Sequence, residues 1–131
     1  MKGQLFIGED ITAAVKATCD VCIVGSGAGG AVLAAGLVER GLKVVMLEEG
    51  GYFTRDDFTL NEGEAYFDLY QGRGTRGTAD LAITVLQGRS VGGSTTINWT
   101  TCFRTPERIL SIWEKNFGVT GLALEVLAPH F

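Results

Sequence analysis

Glycines early in the chain have the spacing of a phosphate-binding turn. Gly25, Gly27 and Gly30 follow a short apolar run and precede a longer one. In a strand–turn–helix unit, Gly25 permits the tight turn, Gly27 lets a pyrophosphate approach the backbone, and Gly30 lets the helix pack closely on the strand. Unpaired N–H groups at the start of the helix would hold the phosphate charge. The residues predicted to contact a dinucleotide here are Gly25, Ser26, Gly27, Ala28, Gly29 and Gly30.

Two acidic residues complete this motif. Glu48 ends the next apolar run, residues 43–48. A carboxylate at that place accepts hydrogen bonds from a ribose diol and repels a 2′-phosphate, so the pattern disfavours NADP. Glu49 either lines the adenine pocket or is a solvated residue at a strand end. The motif does not distinguish NAD from FAD, because both contain the ADP half that it binds.

The elements that must position these residues form a βαβ unit. Residues 20–25 are predicted to be a fully buried strand, residues 28–40 a helix that Gly41 ends, and residues 43–48 a second buried strand. The two strands should be parallel, with a right-handed crossover. The predicted fold class is α/β, a Rossmann-like βαβ FAD/NAD(P)-binding fold. It is incomplete, because a doubly wound sheet needs more strands than the sequence shows.

The rest of the chain predicts shorter elements. The expected helical segments are a turn at 10–16, a short helix within 60–72, a helix that starts at Pro106, and the opening of another near the end. A flexible loop is expected at 72–78 and a strand at 81–86.

Composition narrows the functional class. The chain has 131 residues, 46% of them apolar, and a formal net charge of -4. This charge argues against a nucleic-acid partner, which requires a basic face. The longest apolar run is too short for a transmembrane segment, and the first residues do not resemble a secretory signal. These features predict one domain in the cytoplasm.

The cysteines of the CxxC pattern are predicted to be buried or at the boundary of the core, without a redox or metal role. Cys19 and Cys22 form a CxxC pattern, but side chains three apart on a strand point to opposite faces. Neither a disulfide nor a shared metal is therefore expected. The odd number of cysteines, with Cys102 as the third, agrees with reduced thiols.

A second Gly-rich segment, GRSVGGSTTINWTTCFRTP at 88–106, carries a family resemblance. Together with the first motif it resembles the glucose–methanol–choline (GMC) family of FAD-dependent oxidoreductases, and it looks closest to a bacterial branch akin to long-chain alcohol oxidases and dehydrogenases. Arg104 also fits the family pattern, whereas Cys102 occupies a position that is often aromatic and Phe103 lies one place late. The positions that carry the resemblance are Gly88, Arg89, Val91, Gly92, Gly93, Ser94, Thr95, Ile97 and Asn98.

The resemblance implies that FAD is the cofactor and that this segment contacts it. Consecutive glycines could also expose N–H groups as an anion-binding nest, with hydroxyl donors beside them. The alternative is a surface loop in which Asn98 caps a turn. The positions carried over as FAD contacts are Arg89, Val91, Gly92, Gly93, Ser94, Asn98 and Thr101.

The implied reaction is hydride transfer from a small-molecule alcohol to flavin N5. The family's base is a histidine in the C-terminal part of a much longer chain. His130, the single histidine here, lies in a stretch unlike that site. We therefore expect the chain to be the N-terminal portion of an FAD-binding domain, without the substrate domain or catalytic residues, and poorly stable alone. The alternatives are a non-catalytic or decayed dinucleotide-binding fragment and an NAD-dependent dehydrogenase domain.

Overall fold

The strand–helix–strand unit is the centre of the first part of the molecule. In the computed structural model, which describes residues 3–131, strand β1 (Val21–Val24) leads to helix α1 (Ala28–Glu39) and then to strand β2 (Val44–Leu47). The two strands pair in parallel, as predicted. The Rossmann-like α/β fold is thereby confirmed. The fold is also incomplete, because the sheet formed by the described residues has two strands.

Local signals fix both ends of α1. Gly27 precedes its first turn, and the helix ends in a Schellman motif, as predicted for Gly41. There the N–H of Gly41 donates to the carbonyl of Val38 at 2.9 Å, and the N–H of Leu42 donates to that of Leu37 at 3.2 Å. The φ of Gly41 is +84°, a conformation that glycine adopts without strain.

Gly30 permits the close contact between α1 and β1. A Cβ at this position would lie 2.0 Å from the carbonyl oxygen of Gly25 and 3.3 Å from the side chain of Ile23. Any larger residue would push the helix away from the strand. The packing role predicted for Gly30 is therefore confirmed.

The prediction of fully buried strands is wrong for this chain. Ile23 is 7% exposed, whereas Val24 is 83% exposed and Leu47 is 53% exposed. Successive side chains of a strand point to opposite faces, and α1 covers one of these faces. The opposite face is open to solvent in the part of the chain that the structure describes.

Between the βαβ unit and Asn98 the chain is mostly irregular. Helix α2 (Glu62–Leu69) confirms the short helix predicted within 60–72, and the side chain of Asn61 caps it. The predicted helical turn at 10–16 is wrong, because the turn is a 3₁₀ segment at Gly8–Asp10. The predicted flexible loop begins with a tight turn at Gln71–Gly74, in which Gly72 and Arg73 have φ values of +58° and +54°.

The predicted strand at 81–86 is also wrong. Short polar side chains just before residues 81–86 bind the backbone of this segment. These hydrogen bonds compete with those that would pair the segment with another strand. The carboxylate of Asp80 accepts from the N–H of Ala82, and the hydroxyl of Thr78 accepts from the N–H of Ile83. Leu81 adopts a φ of +58°, which is not a strand conformation. The segment is a tight turn with an isolated bridge between Gly77 and Thr84.

The chain divides into two compact units, and the second begins at Trp99. Helix α3 (Glu107–Phe117) starts directly after Pro106, as predicted, and ends at Gly118, whose φ is +66°. Helix α4 (Leu124–Leu127) and a 3₁₀ turn follow, which confirms the short final helix. Leu110 is the buried apolar residue of this unit among those described.

Much apolar surface is exposed in residues 3–131. The buried apolar side chains described are Ile23, Leu69 and Leu110. None of the helices in the described part of the chain is long and apolar enough to cross a membrane.

Candidate functional site

A cleft of about 620 Å³ lies in the first unit, beside the carboxyl ends of β1 and β2. Ligands of open α/β sheets bind at this edge, and small-molecule pockets have volumes of roughly 300–1,000 Å³. Both glycine-rich segments contribute to the walls. The lining residues are Val24, Gly25, Gly27, Leu47, Glu48, Glu49, Gln87, Gly88, Gly93 and Ser94.

The first glycine-rich turn leaves room for a ligand at the start of α1. Gly25 has a φ of +93°, which turns the chain sharply after β1. A Cβ on Gly27, or on Gly29, would meet no atom within 4 Å, so both face open space. The first N–H groups of an α-helix have no partner within the helix. The start of α1 can therefore receive an anion, with Gly27 at the point of approach.

Glu48 is held at the edge of the cleft by both of its carboxylate oxygens. The backbone N–H of Ser26 donates to Oε2 at 2.9 Å, and the Ser26 hydroxyl donates to the same atom at 2.7 Å. The N–H of Gly50 donates to Oε1 at 2.9 Å. Partial burial raises the pKa of Glu48, but the hydrogen bonds from Ser26 and Gly50 together lower it below its usual value. The side chain is therefore an ionised, oriented acceptor at neutral pH.

The second glycine-rich turn docks directly on the first. Gly92 and Gly93 have φ values of +93° and +56°, so both lie in the left-handed region. A Cβ on Gly93 would come 3.0 Å from the Cα of Gly27. The N–H of Gly92 donates to the Ser26 hydroxyl at 3.0 Å. One cleft is thus bounded by two segments that are distant in sequence.

The second turn does not form the anion-binding nest that the sequence predicts, because the N–H groups of Val91, Gly92 and Gly93 donate to protein acceptors. The N–H of Val91 donates to the carbonyl of Gly51 at 2.9 Å, and that of Gly93 donates to the carbonyl of Ser90 at 2.7 Å. The N–H of Gly92 donates to Ser26. These groups are used to fold and dock the turn and are not directed to an anion. Whether Val91, Gly92 and Gly93 contact a cofactor through other atoms stays a prediction.

A second carboxylate at the cleft, that of Glu49, is paired with Arg89. Their side chains form an ion pair with 3.7 Å between Nε of Arg89 and Oε2 of Glu49. Both are more than half exposed, and such surface pairs contribute little to stability. Glu49 lines the cleft, which favours neither of its two interpretations.

The other predicted contacts belong to both compact units of the chain. Ser26 is 5% exposed, and Ala28, Gly29 and Gly30 form the first turn of α1. Ser94 lines the cleft, and its hydroxyl accepts from the N–H of Gly88 at 3.0 Å. Asn98 is the last residue of the first unit, and Thr101 belongs to the second unit.

Four cleft residues were not predicted as contacts. Val24 and Leu47 are the last residues of the two strands, so the rule for ligand sites at carboxyl ends could have indicated them. Gly88 belongs to the second glycine-rich motif, where it packs against the Gly93 carbonyl. Gln87 lies outside both glycine-rich motifs, so no sequence pattern indicated it as a cleft residue.

Candidate metal ligands and cysteines occur among the described residues. No group of three or more His, Cys, Asp or Glu side chains within residues 3–131 could hold a metal ion. Cys19, Cys22 and Cys102 are free thiols. Cys19 is partly exposed, whereas Cys22 is exposed, so a buried position for Cys22 is wrong.

Comparison with known families matches both halves of the chain. Residues 66–131 match the family model of GMC oxidoreductases, and residues 23–68 match a NAD(P)-binding Rossmann-like domain. The two matches correspond to the second and the first glycine-rich segment respectively. They support a dinucleotide-binding role for the cleft between these segments.

Individual relatives agree with the family match. A long-chain-alcohol oxidase of Arabidopsis thaliana is 41% identical over 77% of this chain and 14% of its own length. An uncharacterized GMC-type oxidoreductase of Mycobacterium tuberculosis is 42% identical over 79% of this chain and 17% of its own. Another, of Sinorhizobium fredii, is 33% identical over 100% of this chain and 25% of its own. The chain therefore spans a minor part of the length of these relatives.

Proposed function

The chain belongs to the GMC oxidoreductase family, and from this premise we propose that it is the FAD-binding part of an oxidoreductase that acts on the CH–OH group of an alcohol. One observation carries the proposal. The two glycine-rich turns meet at a single cleft, and an ionised Glu48 lies at its edge.

The residues of the cleft fit the ADP half of FAD. The open space at Gly27 and the unpaired N–H groups at the start of α1 suit the pyrophosphate. The hydrogen bonds from Ser26 and Gly50 use three of the roughly four acceptor sites of the Glu48 carboxylate. The remaining capacity suits a ribose hydroxyl, and the negative charge opposes a 2′-phosphate.

The second turn supports FAD rather than NAD. It closes the cleft against the first turn, and the segment that contains it matches the GMC oxidoreductase model. We assign Glu49, Arg89, Val91, Gly92, Gly93, Ser94, Asn98 and Thr101 to contacts with FAD.

The chemistry supplied by bound FAD is acceptance of a hydride at flavin N5. The named residues bind and orient the cofactor, and we assign none of them to proton transfer. The relatives in Arabidopsis are long-chain-alcohol oxidases, so we propose an alcohol with a long apolar chain as the substrate class.

The test is spectroscopic. The protein is expressed from its own gene and purified, and its visible spectrum is recorded before and after anaerobic addition of a long-chain primary alcohol. We expect flavin absorbance that bleaches as the alcohol is oxidised. A colourless protein that binds NAD would contradict the proposal for FAD. A yellow protein that no alcohol bleaches would contradict the proposal for the reaction.

A further inference from the structure

We infer that Ser26 is a positioning residue, which joins the two glycine-rich turns and fixes Glu48 for the adenosine half of the cofactor. The inference rests on the proposed function, since it concerns how the FAD site is held together. It assigns Ser26 a role different from the direct ligand contact that the first motif predicts.

The hydroxyl of Ser26 is engaged by protein atoms on both sides. It donates to Oε2 of Glu48 at 2.7 Å and accepts from the N–H of Gly92 at 3.0 Å. The backbone N–H of Ser26 donates to the same Glu48 oxygen. The residue is 5% exposed, so water competes little for these bonds. A serine in this state orders its neighbours and has little capacity left for a ligand.

The bonds of Ser26 connect parts of the chain that are far apart in sequence. Glu48 is 22 positions from Ser26, and Gly92 is 66 positions from it. The same junction brings Gly93 so close to Gly27 that a Cβ on Gly93 would lie 3.0 Å from the Gly27 Cα. Ser26 therefore couples the proposed ribose acceptor to the turn that closes the cleft.

Replacing Ser26 by alanine has two local consequences. The N–H of Gly92 loses its acceptor, and an unsatisfied donor destabilises the docked turn. Glu48 keeps the backbone donor from Ser26 but loses the hydroxyl donor, so its orientation is less restricted. The variant keeps every group that we assign to ligand binding, but the positions of Glu48 and of the second turn are less well fixed.

The first experiment is a double-mutant cycle on the protein expressed from its own gene, with FAD and ADP as probes. We expect Ser26→Ala to weaken the binding of both by about tenfold, as for the loss of one hydrogen bond to a charged group. Because Ser26 acts through Glu48, the same change should have less than about a twofold effect on ADP binding in a Glu48→Gln background. Additive effects in the cycle, or unchanged affinity in Ser26→Ala, would overturn the inference.

The second experiment is made on the wild-type protein, so its outcome does not depend on whether a Ser26 variant folds. Hydrogen exchange of the wild-type protein should show a Gly92 amide that is at least about tenfold slower than an unprotected glycine amide. An unprotected Gly92 would overturn the inference. The control is Thr75→Ala, which removes an exposed hydroxyl bonded to the carbonyl of Gly72 outside the cleft. This control should leave both measurements unchanged.

The two proposals fail in different ways. If the wild-type protein binds neither FAD nor ADP, the proposed function fails, and exchange at Gly92 still decides whether Ser26 joins the turns. If the wild-type protein binds FAD and Ser26→Ala binds it equally well, the positioning role fails alone.

Discussion

Glu48 shows how a single residue connects the fold to the proposed function. Its position at the end of β2 follows from the sequence, but its partners Ser26 and Gly50 come from two different loops. These donors stabilise the carboxylate in its charged form and fix its direction. A charged and oriented acceptor binds a ribose hydroxyl more strongly than a neutral one.

Replacement of Glu48 by glutamine should weaken ADP and FAD binding by about tenfold to a hundredfold, because a charge-assisted hydrogen bond contributes roughly 1.5–3 kcal/mol. The glutamine would also turn an N–H donor toward the donors of Ser26 or Gly50. Isothermal titration measures the change. Glu39→Gln at the exposed end of α1 removes the same charge outside the cleft and should have no effect. Equal affinities in Glu48→Gln and wild type would refute the ribose-binding role.

The lowered pKa of Glu48 predicts a direction for pH dependence. A carboxyl whose pKa is lower in the folded state stabilises that state above its unfolded pKa of about 4.3. This stabilisation is lost as the pH falls through the folded value. For the protein expressed from its own gene, we therefore expect the difference in unfolding free energy between wild type and Glu48→Gln to be constant near neutral pH and to shrink below about pH 4.3. A difference that grows on acidification would show that the pKa is raised instead.

At the scale of elements, α1 depends on the absence of a side chain at Gly30. The variant Gly30→Ala would place a Cβ 2.0 Å from the backbone oxygen of Gly25. We expect a loss of about 1–3 kcal/mol in unfolding free energy, or more, as for overpacked sites. Gly29→Ala is the matched control, because a Cβ there meets nothing within 4 Å. Thermal melts of the two variants, made in the protein expressed from its own gene, should differ clearly, and equal melting temperatures would contradict the packing argument.

The βαβ unit was predictable because its signals are local. Gly25, Gly30 and Gly41 each mark a turn, a close approach or a helix end within a few residues. The turn that replaces the strand expected at 81–86 was not predictable. Hydropathy does not show that the side chains of Thr78 and Asp80 bind the backbone of the following residues.

The candidate site was predictable only in part. Glu48 and the first turn follow from spacing, and the second turn follows from family resemblance. The hydrogen bond between Gly92 and Ser26 joins residues 66 positions apart, and a sequence pattern does not specify such a contact. The expected anion nest was wrong for the same reason, since the partners of its N–H groups lie in other segments.

At the scale of the whole molecule, the balance between apolar content and burial predicts poor stability. The chain is 46% apolar, but the buried apolar side chains among residues 3–131 are Ile23, Leu69 and Leu110. Large side chains such as Val24, Leu47 and Phe117 remain more than half exposed. Exposed apolar patches of this kind favour association.

We expect a purified polypeptide of residues 1–131 to self-associate at micromolar concentration and to show no cooperative thermal transition. Size-exclusion chromatography and circular dichroism measure these two properties. A monomer with a single cooperative melt would contradict this expectation.

The most direct test of the central claim is a fluorescence titration of FAD into the cofactor-free protein expressed from its own gene. The arrangement of the two turns around one cleft predicts saturable binding of FAD that ADP displaces, because ADP occupies the half of the site built by Gly27 and Glu48. Absence of saturable FAD binding, or saturable binding of NAD without binding of FAD, would contradict the claim.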